Sequence, residues 1–341
     1  MRISTCRWLK YVILAIQVIA VSCNSDKPNN SGIDAEPDIP IIQDDDPAWS
    51  PNGRFVAYSH YVLSPDESGN FFYWQLWLYD LQADSGYLFL YPAMGPRWSQ
   101  DNSMLAFGPG PLTNIYYYDF AADTVIRITY DGYHGAFDLA PDARSIVTPA
   151  GPAAPENDLW TIGLDGAYQR NITPGPLWGG FSRWSRHSGQ ILYDRYLDGD
   201  YHQFAVSDSF GNYLGVVHPT SWWQYQACWG PEDTVVAISN GNLSSMNYTT
   251  SIFLANRRSG SINFFSTGWS PDWSHDGRWL AFADRAEDPI RFTIWIIRLD
   301  GTGKREISRR SYADIDTITV SSNTYPRCVL PEAVKARLRG Q

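Results

Sequence analysis

Six histidines, four cysteines and 36 carboxylates are the groups through which this 341-residue chain could do metal, nucleophilic or acid–base chemistry. His60, His134, His187, His202, His218 and His275 are scattered, with no H-x-x-x-H or comparable ligand spacing, so no local segment makes a metal site. A site would need the fold to gather His134, His202 and His218 from three separate stretches; otherwise they are ordinary loop histidines. Asp194, Asp198 and Asp200 offer carboxylates for glycoside hydrolysis, but nothing in sequence sets their separation, and their Asp-Gly-Asp context is also turn chemistry. No G-x-S-x-G nucleophile elbow is present, which argues against serine hydrolysis. These residues assign no catalytic group, call for no cofactor, and favour a binding protein over an enzyme.

The aromatic residues, 15% of the chain, carry the stronger signal. Trp74, Tyr133, Trp178, Trp222, Trp223, Tyr225 and Trp269 stand in or beside the longer connections and are the candidate ligand-binding residues. Rings exposed beside polar groups recognise protein surfaces or sugar rings. Some of the seven must be packing residues instead; Trp178, Trp222 and Trp223, set among Gly and Pro, are best placed for exposure.

The elements that hold these residues follow from a repeat. One phrase returns six times, a Trp-Ser or variant, a polar turn, then an apolar run: PAWSPNGRFVAYS from Pro47, PRWSQDNSMLAFG from Pro96, FDLAPDARSIVTP from Phe137, SRWSRHSGQILYD from Ser182, ACWGPEDTVVAIS from Ala227 and PDWSHDGRWLAFA from Pro271. Trp49, Trp98, Leu139, Trp184, Trp229 and Trp273 form one column, spaced 49, 41, 45, 45 and 44 residues apart. Each copy adds a second apolar strand, such as LWLYD or IWIIRLDG, and a shorter fourth run, such as YLFLY or REIS. Four strands per period of 40 to 50 residues predict an all-β, six-bladed β-propeller of four-stranded antiparallel blades. The column Trp residues would fill the wedge between blades. Short turns would lie on one face of the ring, and the long loops with most of the aromatics on the other, which is the expected binding face.

Over residues 47–310 the repeat resembles the TolB-type, WD-repeat-like propellers of bacterial envelope proteins. The carriers are the P-x-W-S-P-D-G phrase at Pro271–Gly277 and Pro47–Gly53, the I-Y-x-x-D-x-D-G phrase echoed at Ile294–Gly301 and Leu159–Gly166, and the R-x-L-T phrase echoed by Arg127 to Thr129 and Arg170 to Thr173. Copies three and five depart furthest, Leu139 replacing the Trp and Gly230 the Ser. The α/β domain that TolB carries before its propeller has no counterpart here, so the resemblance implies a fold and not TolB's role. Some propellers with this repeat resemble oligogalacturonate lyases, which hold a His-ligated metal at the ring centre; that implies a rival reading, a carbohydrate-active enzyme with its site in the central funnel.

The ends of the chain speak to location. Arg2, Arg7 and Lys10 precede an apolar stretch from Tyr11 too short to span a bilayer, so residues 1–22 read as a signal peptide. Ala20-Val21-Ser22-Cys23 resembles a lipobox, in which Cys23 would be diacylated; the alternative is an ordinary cleaved signal. Residues 23–46, acidic and rich in Pro, Asn and Ser, read as a flexible tether reaching about 25 to 30 Å. Within it, DIPIIQ from Asp38 could close the ring as an edge strand of the last blade, as could IDTITV from Ile315. The propeller is expected over 47–320, and a tail over 321–341 whose PEAVKARLRG reads as a short basic helix. Cys228 and Cys328 could pair in an oxidising compartment, though a buried free thiol is the plainer reading of Cys228. The formal charge of −10 argues against nucleic acid and anionic lipid head groups as partners. The expected protein is an exported, monomeric lipoprotein, held at the membrane by Cys23 and binding an envelope protein or a glycan.

Overall fold

The apolar runs form strands because they are rich in β-branched and aromatic residues and are bounded by turn formers. The computed structural model describes residues 41–66, 69–110, 114–132, 134, 136–149, 158–173, 181–197, 201–218, 224–241, 250–286, 291–308 and 326–339. The signal peptide, Cys23, most of the tether, and Tyr133, Trp178, Trp222 and Trp223 lie outside them.

Each copy of the repeat is an antiparallel meander of four strands. The first is β1 (Ile41–Trp49), β2 (Phe55–Asp66), β3 (Gly69–Asp80) and β4 (Ser85–Tyr91); the second is β5 (Met94–Trp98), β6 (Met104–Gly108), β7 (Tyr116–Asp119) and β8 (Thr124–Arg127). The third is β9 (Asp138–Leu139), β10 (Ser145–Pro149), β11 (Leu159–Gly163) and β12 (Tyr168–Asn171); the fourth is β13 (Ser182–Trp184), β14 (Ile191–Leu197), β15 (Tyr201–Ser207) and β16 (Tyr213–Val216). The fifth is β17 (Gln224–Trp229), β18 (Val235–Gly241), β19 (Thr250–Asn256) and β20 (Ile262–Thr267); the sixth is β21 (Trp269–Trp273), β22 (Trp279–Arg285), β23 (Phe292–Arg298) and β24 (Arg305–Glu306).

Copies two to five are separate four-stranded sheets in chain order. Copies one and six are not separate, because Gln43 of β1 pairs in parallel with Phe292 of β23 and merges them into one nine-stranded sheet. Four free-standing blades therefore replace the six expected. The cause lies in residues 41–46, which composition assigns to the tether. They are strand, pairing with β2 from Ile41↔Leu63 to Asp45↔Ser59 and reaching across to the last copy. Of DIPIIQ, Ile41–Gln43 belong to β1, the first strand of copy one, and meet the last copy only through the Gln43–Phe292 pair; Asp38 to Pro40 and the rival segment from Ile315 lie outside the described residues.

Packing relates each copy to the next. A buried cluster joins Leu78 and Phe89 of copy one to Leu105 and Phe107 of copy two, and further clusters join two to three, three to four, four to five and five to six. A sixth joins Ala281 and Ile294 of copy six to Trp49 and Tyr58 of copy one. The column residues sit in these interfaces, each against the preceding copy, as expected of wedge fillers. Flat sheets with both faces apolar have no other way to leave water.

The Trp-Ser-x-Asx phrase has a mechanical meaning. In every copy the residue after the column donates its N–H across the first hairpin turn, as Ser50 to Phe55, Ser99 to Met104, Ala140 to Ser145, Ser185 to Gln190, Gly230 to Val235 and Ser274 to Trp279, at 2.7–3.0 Å. The serine hydroxyl then donates to the Asx two residues on and accepts the last N–H of the turn, as with Ser99, Asp101 and Met104. The fourth turn position is left-handed in Gly53, Asn102, Ala143, Asp233 and Gly277. Alanine at φ 53° is strained there. Ala143→Gly should therefore raise stability by about 0.5–1 kcal/mol in urea unfolding, the relieved strain exceeding the added backbone entropy; no gain would mean that the turn relaxes without it.

The tail docks on the first two copies. β25 (Arg327–Cys328) adds a strand outside β4, and α1 (Glu332–Leu338) buries Val334 and Leu338 against Phe55, Phe89 and Phe120. Lys335 reaches Asp123 (2.8 Å) and Arg337 reaches the buried Asp80 (3.2 Å). Cys228 and Cys328 are free; the second sits beside copy one and not copy five, so the contemplated staple is absent.

Candidate functional site

Strand alternation puts the residue before each column position on the opposite side from the wedge-filling ring. Those residues are Ala48, Arg97, Asp138, Arg183, Cys228 and Asp272, and all six line a single cavity of about 50 Å³ to which every copy contributes. This is the axis of the assembly. Its volume suits a few water molecules and not a sugar ring.

Charge, unusually, fills this axis. Arg97 Nη2 donates to Asp46 Oδ1 (2.9 Å), and Arg183 Nη2 stands 3.5 Å from the same oxygen. Asp272 Oδ2 accepts the Trp49 N–H (2.8 Å), and Asp138 Oδ2 the Trp184 N–H (2.8 Å), so two axial carboxylates clip neighbouring copies together. Burial alone would depress the Arg97 guanidinium, but Asp46, Asp138 and Asp272 outweigh it and hold its pKa above the ordinary value. Burial and the nearby Arg97 push Arg183 down to about 10. Burial raises Asp138 and Asp272 against the pull of the arginines. Charges desolvated to this degree persist only when paired, which the alternation of sign around the axis provides.

At one mouth of the axis the N-terminal strand adds three carboxylates. A bulge between Asp45 and Ala48 puts Asp46 at φ 52°, the place taken by Gly95 in copy two and Ser270 in copy six. Asp44 Oδ1 lies 2.6 Å from His60 Nδ1, both groups buried. Asp45 accepts the Ser270 hydroxyl (2.5 Å), and burial, reinforced by Asp46, raises its pKa to about 7. Burial and these carboxylates also push Tyr61 well up. A cluster of perturbed titratable groups at an axial mouth is the chemical profile of a site, although every carboxylate in it is committed to a partner on the chain itself.

Of the candidates read from sequence, Trp269 and Trp74 fall beside this mouth. Trp269 stacks edge-on against Phe292 (4.9 Å) and Trp74 meets Tyr61 edge-on (4.5 Å). Both are half-buried, so packing claims part of each ring. Tyr225 is in β17 and His202 in β15, their side chains outside the description. His134 lies in the connection between β8 and β9, but its ring is buried, its Nε2 bonds Asp131, and burial lowers its pKa. Asp194 accepts the Phe181 N–H (2.8 Å), a structural duty. Among the described residues no group of three or more His, Cys, Asp or Glu is placed to hold a metal.

The alternation before the column is legible in sequence, as Arg97, Asp138 and Arg183 followed by Asp272, and lies outside the long loops that carry the candidate aromatics. A second cavity, about 520 Å³, also lies away from those loops, between the first turns of copies four and five. No described helix is long and apolar enough to cross a membrane.

Neither a family model nor a curated protein sequence matches the chain. Solved structures do. TolB from Acinetobacter baumannii superposes with a TM-score of 0.58 at 19% identity, over 75% of this chain and 64% of that one. A TolB-type protein from Agrobacterium tumefaciens gives 0.56 at 12%, over 68% and 87%. An oligogalacturonate lyase in complex with manganese gives 0.50 at 12%, over 79% and 78%. The chain thus spans under two thirds of the Acinetobacter protein, and at these identities the likeness is one of fold.

Proposed function

We propose that this chain, a TolB-like β-propeller in fold, is a binding module: a six-bladed ring, exported behind residues 1–22, held at the membrane by a diacylated Cys23, and engaging an envelope protein or glycan at its loop face. Six blades are the reading because six buried clusters alternate with the six meanders around one axis, the joined sheet being a single parallel pair between two of them.

The observation that favours binding over catalysis is the axis itself. A funnel enzyme needs convergent, substrate-accessible acid, base or metal groups near the centre; here Asp46, Arg97, Asp138, Arg183 and Asp272 are engaged with one another and with backbone around about 50 Å³. Such a centre makes a rigid hub, and a rigid hub lets loops present side chains without paying for their ordering at each encounter. Trp74, Trp269, Trp222, Trp223, Trp178, Tyr133 and Tyr225 are the residues proposed to do so, with the chain acting as a monomer.

Capture from envelope extract tests this. Wild-type protein should retain an envelope component that a Trp222→Ala, Trp223→Ala double variant recovers roughly tenfold less well. Equal recovery overturns the loop-face assignment, and stoichiometric metal lost on replacing His202 overturns the non-catalytic reading.

A further inference from the structure

Two of the six first turns break the pattern that the others share, and the larger cavity lies between them. In four turns the third residue is Asn52, Asp101, Asp142 or Asp276, whose side chain accepts the N–H two residues on at 2.9–3.1 Å. In copy four that place holds His187, and in copy five Glu232. The copy-five turn is also the one with two successive left-handed residues, Glu232 at φ 53° and Asp233 at φ 55°. Neither is glycine, and strain of this kind concentrates where function holds the backbone in place.

Asp233 crosses to the copy-four turn. Its Oδ2 accepts the Ser185 hydroxyl (2.5 Å) and the Ser188 N–H (3.0 Å). The residue is 8% exposed, and its other oxygen, Oδ1, is buried with no hydrogen-bond partner among the described residues. A buried acceptor left over in this way has room for one more donor, a water molecule or a group of a ligand. Beside it, Arg257 lies over the Trp229 ring (5.0 Å) and is oriented by Gln190 Oε1 (3.1 Å) and the Asp233 carbonyl (3.3 Å). Arg258 follows, exposed, along the same groove.

We infer that this groove binds a carboxylate with an N–H beside it, the chemistry of a peptide's C-terminus. Arg257 and Arg258 receive the carboxylate by charge-assisted hydrogen bonds, and Asp233 Oδ1 accepts the N–H. Glu232, exposed at the rim, adds an acceptor on the donor side. At about 520 Å³ the groove takes a few residues, and none of its lining residues is a Phe, Tyr or Trp on which a sugar could stack. The site lies on the short-turn side, so it stands or falls independently of the loop-face reading.

The test is an NMR titration of the ¹⁵N-labelled protein with acetyl-alanyl-alanine and with its C-terminal amide. The acid should give saturable shifts at the Ser188, Asp233, Thr234 and Arg257 amides, and the amide should bind about tenfold more weakly. Asp233→Asn and Arg257→Ala should each weaken binding by about fivefold or more, with the remaining spectrum reporting an intact fold. Should either variant unfold, Arg258→Ala, on an exposed turn, tests the carboxylate arm alone. Equal shifts from acid and amide, no saturation, or full binding by the folded variants overturns the proposal.

Discussion

Arg97→Met should cost about 3–5 kcal/mol of folding stability, seen as a large fall in the urea midpoint with little change in slope. The loss would not measure the worth of one ion pair. It would measure what remains: Asp46, held by Arg97 at 2.9 Å, would keep only Arg183 at 3.5 Å, inside an axis too narrow for bulk water. Adding Asp46→Asn to the variant should therefore recover part of the loss, with a coupling of about 1–3 kcal/mol. The contrast is Arg278, whose 4.0 Å contact with Asp276 is surface-exposed at 82% and 54%; its replacement by Met should cost less than about 1 kcal/mol. A comparable small effect at Arg97 would mean that the axis is wetter than its geometry implies.

Asp45→Asn should stabilise the protein, increasingly so as pH rises from about 4 to 7, and by a constant margin above that. The sign follows from the folded pKa of about 7, raised from an unfolded 3.8. Between these values the unfolded chain has released a proton that the folded chain keeps, so folding is progressively disfavoured as pH rises; above 7 both are ionised and the full cost remains. At about 1.4 kcal/mol per pH unit the margin approaches about 4 kcal/mol as an upper bound. Asparagine keeps an acceptor for the Ser270 hydroxyl without a charge to desolvate. Thermal melts of both proteins from pH 4 to 8 decide it: parallel curves would place the Asp45 carboxylate in contact with solvent.

The meanders and their turns were legible because they are local. Residues within a single period set the serine, Asx and left-handed positions of a turn such as Ser99–Met104, and the near-continuous apolar run of β6 or β22 declares strands buried on both faces. The tail's helix was legible for the same reason, in its run of helix formers from Glu332. What the residues could not declare is where the separate copies meet. Composition makes Asp44, Asp45 and Asp46 a solvated tether; Asp44 is buried and Asp45 and Asp46 half-buried because His60, Ser270, Arg97 and Arg183, drawn from four different copies, arrive around them. Nothing in the residues around His134 declares that its ring is buried, and Asp233 is an ordinary turn acid until the neighbouring turn supplies Ser185.

The repeat, its four-stranded unit and the wedge-filling column can be read along the chain, since they rest on propensity and periodicity within about 45 residues. The ion-paired axis, the inward strand of residues 41–46 and the groove between copies four and five come into being only when the copies pack together. Electrostatics and desolvation depend on distances between segments far apart in the chain, and a one-dimensional pattern does not contain them.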